Sequence, residues 1–276
     1  MTNVRRIIAL GAALLTIAIS GGSALACQGS IAVTSCTATC NSNCFLNTDL
    51  NCTNGQGITL NSGAKLDLCG HTMNCTSLIC YTAGVTMTAS SSQVLNTISG
   101  PPNNSIGKFT GEWYPAVECA NKSASKVLGV RFEGVTRAAQ NCSKFQQNVV
   151  ASSDPFGYAT SGIAGTDEVS DNYFNSGSAI NLTGAFAGSV HDNLIAMNDT
   201  TGGFADGIVA DQYAYGAFNV SNNIFLGNGA SSVPITDDSI GSPTYATNYC
   251  DPLNSNCTTC ISSGKCTSPQ VSFTLP

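Results

Sequence analysis

The sequence predicts an all-β parallel solenoid, and three observations carry that prediction. The hexapeptides "VSDNYF" (169–174), "VHDNLI" (190–195) and "VSNNIF" (220–225) are one pattern three times: Val, a small or polar residue, Asp or Asn, Asn, any residue, then a large apolar one. No 3.6-residue apolar stripe persists beyond the first 26 residues, and helix-averse Gly, Ser, Thr and Asn are spread throughout. Charged residues make up 9% of the chain and hydrophobic residues 42%. An ordinary globular domain is about 25% charged, and a disordered chain is far less apolar.

The elements follow in chain order. Residues 1–26 have basic Arg5 and Arg6, an apolar run from Ile7 to Ile19 and a small-residue ending at Ala24-Leu25-Ala26, the pattern of a secretory signal peptide too short to span a membrane. Cys27 follows directly, so a lipid on Cys27 competes with a disulfide, although Ala24 stands where lipidation favours Leu. All 14 cysteines lie after this leader, and in an exported chain they are expected as disulfides whose pairing the spacing does not reveal. Residues 27–57 and 249–276 are the Cys-rich ends and read as covers for the exposed end coils of a solenoid. For Cys250, Cys257, Cys260 and Cys266, a disulfide knot is favoured over zinc in an oxidising compartment.

Residues 58–248 hold the coils. "VLGVRF" (127–132) is a degenerate fourth copy, and "SAINL" (178–182) and "DGIVA" (206–210) form a second recurring element. Successive full copies start 21 and 30 residues apart, the longer interval containing the polar insertion "MNDTTGG" (197–203). Short strands with inward Val, Ile and Phe, cut off by turns at this period, describe stacked coils. Asn tolerates tight bends and bonds to nearby peptide groups, so Asn172, Asn193 and Asn223 are expected to stack as a hydrogen-bonded ladder. Val127, Val169, Val190 and Val220 are expected to point inward and stack.

The stretch 45–75, above all "LDLCGHTM", resembles the opening coil of bacterial right-handed parallel β-helix repeat proteins of the pectate-lyase-like superfamily, which typically read Leu-Asp-Leu-Asn-Gly-His-Thr-Ile. With the Asn coils, the resemblance covers about residues 45–230. It implies a right-handed parallel β-helix with Cys-rich caps. It leaves activity open, because the superfamily holds lyases, glycoside hydrolases, epimerases, tailspikes and adhesins. Cys69 replaces the family's usual Asn, which points to a disulfide local to this chain. His71 belongs to the structural signature and is expected to bond the backbone of a neighbouring coil.

Charge narrows the function. Residues 27–144 carry seven basic and five acidic groups, a balance of +2, whereas residues 145–276 carry one and eleven, a balance of −10. Nucleic acid is therefore excluded as a partner, and neutral glycans suit the chain better than polyuronates. Lyase chemistry would also need a basic group facing substrate, and only Lys265 is basic after residue 144. Ice-binding Thr ranks and copper-binding Met/His sites do not recur.

Three groups compete for chemistry. Asp171 and Asp192 could sit near the ~5 Å spacing of retaining carboxyl pairs or share Ca²⁺, but serving the turns is the simpler role. In "PITDDSIG" (234–241), Asp237 and Asp238 resemble polygalacturonase aspartates without the accompanying motifs. In "DGIVADQYAY" (206–215), inward Ile208 and Ala210 put Val209 and Asp211 outward, with Asp206 at the strand's entrance. Asp206 and Asp211 are thus the candidate catalytic pair lining a cleft, and Tyr213 and Tyr215 offer flat surfaces for sugar stacking. The expected partner is an extracellular polysaccharide or cell-surface glycan, bound with or without cleavage, by a secreted or cell-surface protein (or a periplasmic one). The rival is a non-catalytic structural or adhesive solenoid.

Overall fold

A computed structural model describes residues 27–97, 106–151, 163–164, 166–175, 179–183, 188–197, 205–227, 232–251 and 256–267. Residues 1–26, read above as a signal peptide, and most of the polar insertion lie outside the described residues. The chain winds through three parallel sheets in turn, and each strand pairs with its counterpart one coil earlier and one coil later. The first sheet has ten strands, from Ile31–Val33 to Thr244–Ala246; the second has nine, from Leu50–Cys52 to Tyr249–Cys250; the third has nine, from Thr39–Cys40 to Ser232–Asp237. One coil runs Lys126–Leu128, Arg131–Glu133 and Ala139–Gln140, then re-enters the first sheet at Lys144–Gln146. This is a parallel β-helix solenoid.

Most strands are two to four residues long, too short to persist alone, so stacking between coils makes the fold. Leu66, Val94, Val127, Phe145, Val169, Val190 and Val220 form one fully buried column down the first sheet. The four expected valines are in it. Phe109, Phe132, Phe145 and Phe174 pack ring to ring, with centroids 5.4, 5.7 and 6.2 Å apart, each contact adding about 0.5–1.5 kcal/mol beyond area burial.

The turn between the first and second sheets carries the asparagine ladder, and it has five rungs where the sequence showed three. Asn172 Nδ2 donates to Asn193 Oδ1 at 2.9 Å, Asn193 Nδ2 to Asn223 Oδ1 at 2.9 Å, and Asn148 and Asn248 extend the row at either end. Each Nδ2 also ties back to a carbonyl in the preceding coil: Val127, Phe145, Val169, Val190 or Val220. The left-handed backbone belongs to the residue before each rung: Gln147, Asp171, Asp192, Asn222 and Thr247 all have φ between 57° and 59°. The two Asp/Asn positions of the repeat thus divide the work. The first makes the bend, and the second is buried and bonded.

The cysteines form seven disulfides: Cys27–Cys69, Cys36–Cys52, Cys40–Cys44, Cys75–Cys80, Cys119–Cys142, Cys250–Cys257 and Cys260–Cys266. Cys69 makes the local bridge its substitution implied, and a Cys27 sulfur joined to it cannot also carry a lipid. Asp67 anchors the same end. Fully buried, it accepts from the backbone N–H of Gln28 at 2.7 Å, Cys69 at 2.9 Å and Thr97 at 3.1 Å. Strands of all three sheets already occur within 27–57. At the other end, the short helix Cys257–Ser262 sits between the two C-terminal disulfides. Among the described residues, no helix is long and apolar enough to cross a membrane.

Candidate functional site

The third sheet changes character in its last two coils. Ala205–Ala210 and Ser232–Asp237 lengthen to six residues and pair in parallel, Asp206 opposite Val233, Ile208 opposite Ile235 and Val209 opposite Thr236. Strict alternation would place Asp206 on the inward face with Ile208. It does not, because a Cβ on Gly207 would point inward to 2.6 Å from the Phe225 ring, and Ile208 is buried as well. Gly207 and Ile208 are thus two consecutive inward residues, although the pairing on either side stays one to one, and Asp206 comes onto the outward face of Val209 and Thr236. Thr236 Oγ1 lies 3.4 Å from Asp206 Oδ1, and burial pushes the Asp206 carboxyl above its ordinary value.

Ala210 is buried, and Asp211 leaves the strand into a turn. Asp211 Oδ1 accepts the Tyr213 N–H at 2.9 Å, and its carbonyl accepts Ala214 N–H at 2.9 Å. An Asx turn of this kind fixes the loop and leaves Tyr213 65% and Tyr215 53% exposed. The next coil repeats the device, with Asp237 Oδ1 accepting Ser239 N–H at 3.1 Å. The two loops are zipped together by Ile240 N–H to Ala214 O at 3.1 Å and Ser242 N–H to Gly216 O at 2.9 Å. Glycine is required at 241, where a Cβ would come within 2.5 Å of Gly216 O. Ile240 is 76% exposed, so the two zipped loops together present Tyr213, Tyr215 and Ile240 to solvent, an apolar group called the platform below.

The structure places Asp206 and Asp211 at opposite ends of one strand. Five residues at about 3.3 Å each put their Cα atoms roughly 16 Å apart, beyond the roughly 5–9.5 Å of paired glycosidase carboxyls. Asp211 is brought instead beside the next coil's Asp237 and Asp238, since Ala210 is in register with Asp237. Burial would raise the Asp237 carboxyl, but hydrogen bonds from Ser239, with Tyr245 and Lys265 nearby, outweigh it and hold the group below its usual range. Burial and that carboxylate together push the Tyr245 phenol upward, and Lys265 Nζ lies 5.9 Å from the ring centroid.

The other sequence candidates fall elsewhere. Asp171 and Asp192 are neighbours in the left-handed column; burial and then the Asp192 charge push the Asp171 carboxyl up. His191 Nδ1 is 2.8 Å from Asp192 Oδ2. These carboxylates are where Ca²⁺ would find hard oxygens, although among the described residues no three His, Cys, Asp or Glu side chains converge as a metal site. The expectation for His71 needs correcting: its Nδ1 lies 3.1 Å from the Asp49 carboxylate, a side chain of the preceding coil and not a backbone group. Sequence reasoning missed Ile240; the signal was an isolated apolar residue inside the polar run "DDSIGS". Comparison with family models, with curated proteins and with solved structures finds no match.

Proposed function

We propose that the protein is a secreted β-helix of the pectate-lyase-like superfamily that recognises an extracellular, uncharged carbohydrate polymer on the platform of Tyr213, Tyr215 and Ile240. The observation that carries this reading is the exposure of two tyrosines on loops held by Asx turns and by hydrogen bonds to each other. Exposed rings on a rigid base supply apolar contact at low entropic cost, the property a sugar face selects. Asp211 and Asp238 at the foot of the platform offer acceptors for sugar hydroxyls. The balance of −10 over residues 145–276 turns away polyanions. The distance between Asp206 and Asp211 favours recognition over hydrolysis by that pair.

The test is a glycan array together with reducing-sugar and unsaturated-uronate assays, each with and without Ca²⁺, on the parent protein and on Tyr213→Ala and Tyr215→Ala. Binding to neutral glycans, weakened about tenfold or more by either substitution, is expected. Silence on the array and in both assays would favour the structural or adhesive solenoid.

A further inference from the structure

A second feature lies at the other end of the rod. The stretch Thr34–Thr37 runs between the first-sheet and third-sheet strands of the first coil, beside Leu50–Cys52, the end strand of the second sheet, and the Cys36–Cys52 disulfide ties the two together. Between them is an open cleft of about 290 Å³ whose lining includes Thr34, Ser35, Thr37, Asp49, Asn51 and Gln56. Its size falls just below the roughly 300–1,000 Å³ usual for drug-sized ligands, which suits a smaller one. No lysine or arginine lines it.

The lining is oriented before any ligand arrives. Asp49 Oδ1 is held by Thr72 N–H at 2.9 Å and faces His71 Nδ1 at 3.1 Å, leaving Oδ2 as an acceptor. Asn51 Oδ1 accepts Asn74 Nδ2 at 3.0 Å, which commits its carbonyl and presents its amide N–H groups. Gln56 Oε1 accepts Thr53 N–H at 2.9 Å with the same consequence. Ser35 Oγ and Thr37 Oγ1 are 3.1 Å apart, and hydroxyls both donate and accept. Among the described residues, the second oxygen of Asp49 and the Nδ2 and Nε2 groups of Asn51 and Gln56 have no other partner.

We infer that this cleft is a second binding site, for a single unit of a neutral saccharide. A carboxylate acceptor, two amide donors and hydroxyls that do both match vicinal sugar hydroxyls, which also donate and accept. The absence of a cationic side chain rules against phosphate, sulfate or uronate, whose charge Asp49 would oppose. The assignment rests on this cleft alone and not on the tyrosine platform. Seven coil steps of about 4.8 Å separate the two along the rod, roughly 34 Å, so each can be removed without disturbing the other.

The test is two-dimensional ¹⁵N NMR of the disulfide-intact protein, titrated with methyl glycosides of glucose, galactose, mannose and N-acetylglucosamine, with trigalacturonate and inorganic phosphate as charged probes. Saturable shifts at residues 34–37, 48–51 and 56 are expected with at least one neutral probe and not with the charged ones. Asn51→Ala and Gln56→Ala should each weaken that binding about tenfold with the rest of the spectrum unchanged, and Tyr213→Ala should leave it intact. Absence of saturable shifts with every neutral probe, an equal response to phosphate or trigalacturonate, or affinity unaffected by both cleft substitutions would overturn the inference. Failure of the platform reading shows separately, as Tyr213→Ala having no effect on the glycan array.

Discussion

Two adjacent residues of one turn should respond very unequally to mutation. Asn193 is buried and makes five side-chain hydrogen bonds: it accepts from Asn172 N at 3.1 Å and Asn172 Nδ2 at 2.9 Å, and donates to Val169 O at 2.9 Å, His191 O at 3.0 Å and Asn223 Oδ1 at 2.9 Å. Asn193→Ala strands the buried Asn172 N–H, at about 1–3 kcal/mol. It also deprives an Asn172 Nδ2 proton and the Val169 and Asn223 oxygens of a partner, each bond having a net worth of about 0.5–1.5 kcal/mol. With partial relaxation, the expected loss is about 3–5 kcal/mol, a large share of the 5–15 kcal/mol typical of a domain. Asp192, one residue earlier, has φ 57° and a solvent-facing carboxyl beside His191. Asp192→Gly relieves about 1 kcal/mol of left-handed strain, offset by a similar gain in unfolded-chain freedom and a surface contact worth less than about 1 kcal/mol. It should fall within about 1 kcal/mol of the parent. Urea denaturation followed by far-UV circular dichroism, disulfides intact, measures both, and amide exchange reads the Asn172 N–H directly. If Asn193→Ala shifts the midpoint no more than Asp192→Gly, the ladder does not hold the coils and the argument fails.

The remaining expectations concern charge and crosslinks. Because the folded Asp206 carboxyl is raised by burial, the fold pays no penalty below the unfolded value near 3.8 and loses stability as pH rises through the folded value. Asp206→Asn should therefore raise the melting temperature at neutral pH, with the advantage vanishing below about pH 4; an advantage that grows on acidification would contradict the burial of that group. The Glu133 carboxyl is held low by Lys108 and Arg131 against the opposing effect of burial. Its contribution is present above the unfolded value and lost as pH falls through the folded one, and Glu133→Gln should cost less than about 1 kcal/mol because the pair is partly exposed. Replacing Cys119 and Cys142 together, a crosslink spanning 23 residues, should cost about 3 kcal/mol of stability as read from urea denaturation. A thiol titration of the native protein should find no reactive cysteine at these positions before reduction.

The three rungs legible in the sequence share Val-x-Asp/Asn-Asn; the two that were not share only the physics. Phe145 and Tyr245 fill the valine slot, and Gln147 and Thr247 take the left-handed position. The backbone asks for a bend followed by a buried amide, and it accepts any residue that tolerates the first. The expectation of inward Ile208 and Ala210 came from period-two alternation and matches their burial, yet the same rule would have turned Asp206 inward. Gly207 breaks the alternation, and a lone glycine in a strand does not announce which way it redirects its neighbour. Asp49 and His71 were invisible as a pair because 22 residues separate them, one coil in a solenoid whose repeat is irregular at that end. Tyr213 and Tyr215 were legible as surface residues because they follow the last inward position of their strand.

Coil stacking converts sequence order into position along the rod, so the charge split between residues 27–144 and 145–276, +2 against −10, becomes an axial one. The inner columns take no part in it: positions facing the core stay apolar from Leu66 to Val220 while the adjacent outward column of the same sheet runs Lys126, Lys144, Glu168, Ser189, Asn219 and Thr244. Stability resides in the columns and the ladder, and the outward positions contribute little to either. A polyanion approaching this rod is repelled at the tyrosine platform and meets its mild attraction in the middle coils, where Lys108, Lys122, Arg131 and Lys144 are already paired with Glu133, Asp167 and Glu168. An uncharged polymer of the kind proposed above is indifferent to this gradient. Its affinity should therefore hardly change as salt is raised, whereas any binding of a polyuronate should weaken steeply; a salt-sensitive interaction with a neutral glycan would mean that these faces, and not the platform or the cleft, do the recognising.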